Sequence, residues 1–486
     1  MQNTPFFPAW RSRLAPLGGR SAQVLGQVRS YTLCQLENCL GRWVPTELFP
    51  KACDKENSRD RNYTRWRTFW CMLWQSLNPD ASGREVVRQL QALFRLENGP
   101  KLSEDDAAYC RAKARLALSE FPKALAATAQ MANRLAPPMS LLQARPIKAI
   151  DGSAITLADT PKNRTAYPPL QCAEVPSFPM MRIVVFFSLL SGAISLLAQG
   201  SLAISELALF GSLMSQLVRG DILLGDRGFG NFPVLGLLHS LGVDFIGRTP
   251  RGIDGRQRLK RLAKNDWLIL WKRSPTPSPW LSAQQWAGLP AQMTLRALKG
   301  RCYQKGFRVR QVTLVTTLLD PGLYPAEQIL QAYLRRWRLE MCLDDLKTTL
   351  KMDMLRGHSP AMVQKELYTR LIAHNLIRCI VAQAAAEHGV ALERVSFKGS
   401  LDALRHFSQA MARARSKKKR RELWAELLNT LAADLVPERP GRREPRAVKR
   451  KKNKYPRLDM PRHKFRDHPK RNIRRKNARL RRLGLM

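Results

Sequence analysis

Tyr333–Lys347, YLRRWRLEMCLDDLK, reads as a helix with a polar stripe where a core should lie. At about 100° per residue, with Glu340 at the origin, Tyr333 falls near about +20°, Arg336 near about −40° and Lys347 near about −20°. Asp344 follows at about +40°. Leu330, Leu334, Trp337 and Met341 flank this fan on one side, and Leu339, Leu343, Leu346 and Leu350 on the other. An ordinary amphipathic helix turns its charges away from its apolar arc. Here apolar residues on both sides would aim Tyr, Arg, Glu and Lys into a cleft. A solvated face laced by i,i+4 and i,i+7 pairs gives the same wheel, so the decision rests on the rest of the chain.

Upstream, the pattern from Pro146 is that of strands. Ile147–Ala158 is strand-like and carries Asp151; Met181–Leu190 and Ala193–Gln199 are β-rich runs split by Ser191-Gly192, a hairpin signature. Ser201–Val218 reads as a helix, with Ser205 and Glu206 in its polar part. A short buried strand, Asp221–Leu224, is followed at once by Gly225-Asp226-Arg227-Gly228-Phe229, then a helix over Phe232–Leu241 and a strand over Val243–Gly247. Three strands, helix, strand, helix, strand is the succession of an RNase H-like α/β domain. Such sheets carry functional residues at the carboxyl ends of their strands, where Asp226 falls.

The long interval between Asp226 and Glu340 needs its own explanation. Residues 250–320 are basic at first (Arg251–Arg261), then alternate in WLILWKR (Trp267–Arg273) and FRVRQVTLVTTL (Phe307–Leu318), with the Pro-rich Ser274–Pro279 between. This predicts a β-rich insertion. Pro325, at a first-turn position, opens the helix quoted above. Residues 321–358 then complete the core, and 359–436 are helical again, Ala361–Glu387 included.

Residues 1–135 are predicted to be helical. Tyr63–Leu77 stops at Asn78-Pro79, Gly83–Leu93 follows, and a third helix opens at Ser103, where Ser103 and Asp106 resemble a capping box. Arg111 and Arg115 lie four apart on its face. Three short helices ending in a basic one suit a helix-turn-helix-like DNA module; a plain helical bundle fits too.

The net charge of +44 and pI near 10.8 call for a polyanionic partner, nucleic acid first. Residues 437–486 hold 21 Lys and Arg against 4 Asp and Glu, and their composition predicts a disordered phosphate-binding tail. Nine cysteines without a CxxC, and seven scattered histidines, offer no zinc spacing and suit a reducing cytosol. No signal peptide opens the chain and no apolar run is long enough to span a membrane, so the expected location is the cytoplasm.

Asp151 on the first strand, Asp226 at the end of the fourth and Glu340 on the late helix are the candidate catalytic acids. Converging carboxylates without His or Cys form a hard-oxygen site for Mg²⁺ or Mn²⁺. Two such ions activate a water or a 3′-hydroxyl and stabilise the leaving oxygen of a phosphodiester. Asp151-Gly152 also fits a turn, Asp226 also fits a cap, and Asp159, Asp221 and Asp344 compete as carboxylates. Arg336 and Lys347 suit phosphates beside the metals, and Tyr333 a hydrogen bond to the same backbone.

Tyr333-x2-Arg336-x3-Glu340-x6-Lys347 resembles the YREK signature of the IS-four type of bacterial DDE transposases, encoded by insertion sequences. IDGSAITLAD around Asp151 and LLGDRGFGNF around Asp226 are similar to that family's first two acid boxes. The resemblance spans roughly residues 50–390. It implies an RNase H-like core, Mg²⁺-dependent cleavage at terminal inverted repeats, strand transfer into target DNA, and a homodimeric synaptic complex in a bacterial, nucleoid-associated setting. It also implies that Tyr333, Arg336 and Lys347 contact DNA phosphates near the cut. Some relatives hold a flipped base with an insertion tryptophan; Trp267, Trp271 and Trp280 are candidates, each equally readable as structural. A structure-specific nuclease on the same fold and an inactive basic nucleic-acid-binding protein are the alternatives.

Overall fold

The computed structural model describes residues 36–49, 62–96, 101–169, 178–249, 257–302, 310–414, 416–437, 477–478 and 481–482. Four helices come first: α1 (Arg65–Leu77), α2 (Gly83–Leu96), α3 (Ala107–Arg115) and α4 (Glu120–Leu135). Thr64 caps α1, its side-chain oxygen accepting from Arg67 N at 3.2 Å. The capping box expected at Ser103 does not form. Ser103 Oγ accepts from Asp105 N, Asp105 takes the Ala107 N–H, and α3 opens four residues later than expected. Aspartate is too short for the reach back that the glutamate of such a box makes.

The sheet begins with β1 (Ile147–Leu157), the short helix α5 (Pro161–Ala166), β2 (Met180–Ser188) and β3 (Ile194–Ser201). Helix α6 (Glu206–Leu213), β4 (Ile222–Gly225), α7 (Phe232–Ser240) and β5 (Asp244–Gly247) follow. The helix expected from Ser201 starts only at Glu206, because Ser205 is its cap, accepting from Ala208 N at 3.1 Å. Next come β6 (Arg258–Ala263), β7 (Asp266–Lys272), α8 (Ala283–Ala287), β8 (Gln292–Cys302) and β9 (Arg310–Thr316). The late helix is α9 (Ala326–Arg335) with α10 (Trp337–Asp344), before β10 (Met354–Leu355). Helices α11 (Pro360–His388), α12 (Phe397–Arg413) and α13 (Lys417–Ala433) close the described chain.

All ten strands form one sheet in the order β3-β2-β1-β4-β5-β9-β8-β7-β6, with β10 on the far end of β1. Strands β1, β4 and β5 run parallel; β2 and β3 are antiparallel neighbours. The apolar run MMRIVVFFS in β2 is buried on both faces, as a central strand requires. The insertion extends this sheet, because β9 pairs antiparallel with β5 through Ile246↔Thr316 and Gly247↔Val315. It is pinned inside by Arg296, whose guanidinium bonds both Asp266 oxygens at 2.6–3.1 Å and the Tyr324 carbonyl at 2.7 Å. That carbonyl immediately precedes the start of α9.

Two cores cover the two faces. One packs α6, α7 and the insertion's Ile269, Leu295 and Ala297 against Ile150 and Leu223. The other is continuous from Leu36 to Leu431 and joins α1–α4 to α9–α13 over Ala149, Ile155 and Leu224. Helix α11 is buried nearly all round, which its apolar perimeter dictates. Its Asn375 completes the sheet edge, donating to Ile194 O at 2.8 Å while its Oδ1 accepts from Ile194 N at 2.8 Å. It ends at Gly389, φ 64°, the left-handed position that glycine fills cheaply. Among the described residues, no helix is long and apolar enough to cross a membrane. Nearly all of the basic tail lies outside the described residues.

Candidate active site

The register of the sheet places the first two acids. Ala149 of β1 faces Leu224 of β4 in parallel pairing. Two residues further, Asp151 and Asp226 come abreast at the carboxyl edge, on the face that Ala149 and Leu224 share. Gly225 faces Gly247 across β4 and β5, so the next position sets Arg248 beside Asp226. Asp226 and Arg248 thus each follow the last paired residue of their strands, and Asp151 lies two residues beyond the last β1–β4 pair.

Each acid is held by local bonds. Asp151 lies within β1, paired with Val185, so the Asp-Gly turn is not what forms there. Its Oδ1 accepts from Gly152 N at 2.9 Å, and the missing Cβ of Gly152 leaves room for the Glu206 carboxyl on the opposite face. Asp226 turns back on its own loop, Oδ1 accepting from Gly228 N at 2.8 Å. Asn231 locks that loop by donating to Gly228 O at 2.9 Å and capping α7 through Val234 N at 3.1 Å. Asp226 thus caps no helix.

Two of the three competing carboxylates are engaged elsewhere. Asp221 pairs with Lys148 and accepts from Val218 N, and Asp159 pairs with Arg164 at 2.5 Å. Asp344 is exposed on α10.

Glu340, on α10, is near enough to act on the Asp151 carboxyl. The Asp151 carboxyl is raised to about 6, chiefly by burial, with the Gly152 N–H and Arg336 opposing and the charges of Asp226 and Glu340 adding to the rise. All three acids consequently share one electrostatic field. Tyr333 belongs to it too: burial raises its hydroxyl, Arg336 and Arg248 pull it down, and Asp226 adds to the rise. Burial pulls the Arg336 pKa down, but Tyr333, Glu340 and Asp151 outweigh it and raise it. The Arg336 guanidinium lies 5.6 Å from the Tyr333 ring and donates to Glu340 Oε1 at 3.1 Å.

The donor set suits a hard divalent ion, with carboxylate oxygens only and two of the acids abreast. Among the described residues the three carboxylates do not close into one metal-holding group, and Glu340 accepts from Arg336.

The late helix departs from the ideal wheel. It tightens at Arg336, which keeps helical dihedrals (φ −54°, ψ −34°) while its N–H bonds Tyr333 O at 3.1 Å, and after Asp344 widens into a π turn over Asp345–Thr349, Leu350 N bonding Asp345 O at 3.0 Å. Tyr333, Arg336 and Glu340 keep their common direction. Lys347 sits half-buried on the wide turn, where a constant step of about 100° no longer fixes its bearing.

Arg111 and Arg115 lie exposed on α3, in the helical layer against α1 and α11 rather than at the sheet edge. Trp271 meets Phe232 edge-on at 6.2 Å and Trp280 packs on Gly211, so both are packing residues. Trp267 is half-buried between cations, Arg258 at 4.5 Å and Lys299 at 5.8 Å. The sequence reading missed Arg248, although the strand-end rule that finds Asp226 points equally to the residue after β5.

A family model described as transposase DDE domain matches residues 142–376, a span holding the sheet, the insertion and the late helix. The chain is 26% identical over 431 residues to transposase InsG of insertion sequence element IS4 from Escherichia coli (strain K12), covering 86% of this chain and 93% of that protein. It is 34% identical over 68 residues to putative transposase InsL of element IS186A from the same strain, covering 14% and 18% of the two chains. A piggyBac transposase, solved by cryo-EM in a synaptic complex with hairpin DNA, superposes with a TM-score of 0.38 at 11% identity over 86% of each chain. That last likeness is too distant to bear on function. The long match to InsG, together with the domain match over the sheet edge just described, supports an IS4-type DDE transposase.

Proposed function

We propose that this DNA transposase cuts at the ends of its own insertion sequence and joins them to target DNA at the sheet edge formed by β1, β4 and α10. The core is read as RNase H-like. Asp151, Asp226 and Glu340 are its catalytic acids and would hold Mg²⁺ or Mn²⁺. When bound, such ions supply a nucleophilic oxygen and stabilise the leaving oxygen. Tyr333, Arg336 and Lys347 orient the scissile phosphate, Arg336 as a bidentate fork and Lys347 as a point charge. Arg248, beside Asp226, is added to that set. Helices α1–α3, with Arg111 and Arg115, are assigned to duplex binding, and the active assembly is a homodimer in the bacterial cytoplasm. The register that sets Asp151 and Asp226 abreast, with Glu340 and Arg336 acting on the same carboxyl, carries this reading.

The test is cleavage of DNA bearing the element's terminal repeats, with Mg²⁺. Asp226→Asn and Glu340→Gln should each slow it a hundredfold or more, since losing one preorganised group costs about 10²–10³. Undiminished cleavage by either variant removes that acid from the mechanism. Cleavage without joining would favour the nuclease alternative.

A further inference from the structure

Glu340 and Arg336 meet in an unequal pair. The Glu340 side chain is 59% exposed, whereas that of Arg336 is 10% exposed. Arg336 gives one N–H to Glu340 Oε1 at 3.1 Å and shares a hydrogen bond with Tyr333, but its buried Nε has no hydrogen-bond partner among the described residues. A buried guanidinium with a donor to spare is short of an acceptor. A carboxylate bonded to it while mostly in water is weakly held. Around them the helix changes its hydrogen-bond step twice, tightening at Arg336 and widening in the π turn over Asp345–Thr349. Segment Trp337–Asp344 can therefore turn without unfolding α9.

Resting on the site reading above, we propose that Arg336 is a positioning residue that exchanges partners. Without DNA it holds Glu340 away from the two aspartates. When a DNA phosphate arrives, the phosphate oxygens take the guanidinium, including Nε, and Glu340 is released toward Asp151 and Asp226. Charge is conserved in the exchange, one anion replacing another on Arg336. The result is order: the three-acid site completes only when a phosphodiester is in place.

The exchange is tested on the full chain without DNA, by titration with Mn²⁺ alone followed by electron paramagnetic resonance of the free ion. Arg336→Gln should bind Mn²⁺ about fivefold more tightly than the unmodified chain, the factor set by an ion pair with one exposed partner. In Arg336→Gln with Glu340→Gln that gain should vanish. A gain that persists in the double variant is a general charge effect on the aspartates and overturns the exchange. No gain in Arg336→Gln also overturns it, and if Asp226→Asn weakens Mn²⁺ binding in the same titration, the site reading survives. If Asp226→Asn has no effect on Mn²⁺, the site reading falls and the exchange with it. Should Arg336→Gln unfold, Arg336→Met, which keeps the length of the stem, carries the same prediction.

Discussion

Asp151 carries the burden of the site at the level of single residues. Its carboxyl is raised to about 6, chiefly by burial and also by two neighbouring acids, so the metal-free fold holds its proton more tightly than the unfolded chain does. A folded pKa above the unfolded one gives stability that is present below the unfolded value and lost as pH rises through about 6. In EDTA, the urea midpoint should accordingly lose this contribution between about pH 4 and 6, and Asp151→Asn should flatten that slope. Equal slopes in the two proteins would show that Asp151 is not desolvated beside other acids. The residue types and the spacing Tyr333-x2-Arg336-x3-Glu340 were readable from the chain alone. What spacing did not reveal was which aspartates were free. Asp159 and Asp221 fit a carboxylate search as well as Asp226 does, until Arg164 and Lys148 are seen to engage them.

Among the elements, the loop between β4 and α7 is the most exacting. A Cβ on Gly230 would lie 1.8 Å from the Arg248 carbonyl oxygen, a backbone atom that no rotamer change can move. Gly230→Ala should therefore cost about 1–3 kcal/mol, as overpacking does. It should also depress end cleavage more than its effect on melting explains, because the loop aims Asp226. Wild-type cleavage with an unchanged melting temperature would contradict the tight approach of the two strand ends. Most elements were legible from periodicity and turn chemistry: β1, the hairpin at Ser191-Gly192, and α7 ending before Gly242. The late helix was legible as a helix but not as an interrupted one. A tightened step at Arg336 and a π turn leave no mark on a wheel that assumes a constant step.

For the whole molecule, the sheet and α11 hold together parts that the chain separates widely. The insertion was expected as a β-rich body, and composition could not tell that β9 would pair with β5 to make it continuous with the core. Nor could any local pattern show that the N-terminal helices share one core with α11–α13, because that contact joins residues hundreds of positions apart. Asn375 is a measure of this union, linking Ile194 of β3 to Leu125 O and Thr128 of α4. Asn375→Leu would leave the Ile194 N–H and C=O unpaired, at about 1–3 kcal/mol each. Thermal unfolding should then fall by several degrees, with helix and sheet signals melting together. A neutral substitution would show that the two layers are joined by apolar packing alone.

The central claim is that three acids from β1, the β4 loop and α10 serve one reaction. It is tested most directly by a structure of the chain bound to an element end and Mn²⁺, with the ion located by its anomalous scattering. The account predicts Mn²⁺ on oxygens of Asp151 and Asp226, with Glu340 turned to join them and Arg336 on a DNA phosphate. Manganese bound away from both aspartates, or Glu340 still on Arg336 with DNA in place, would contradict it.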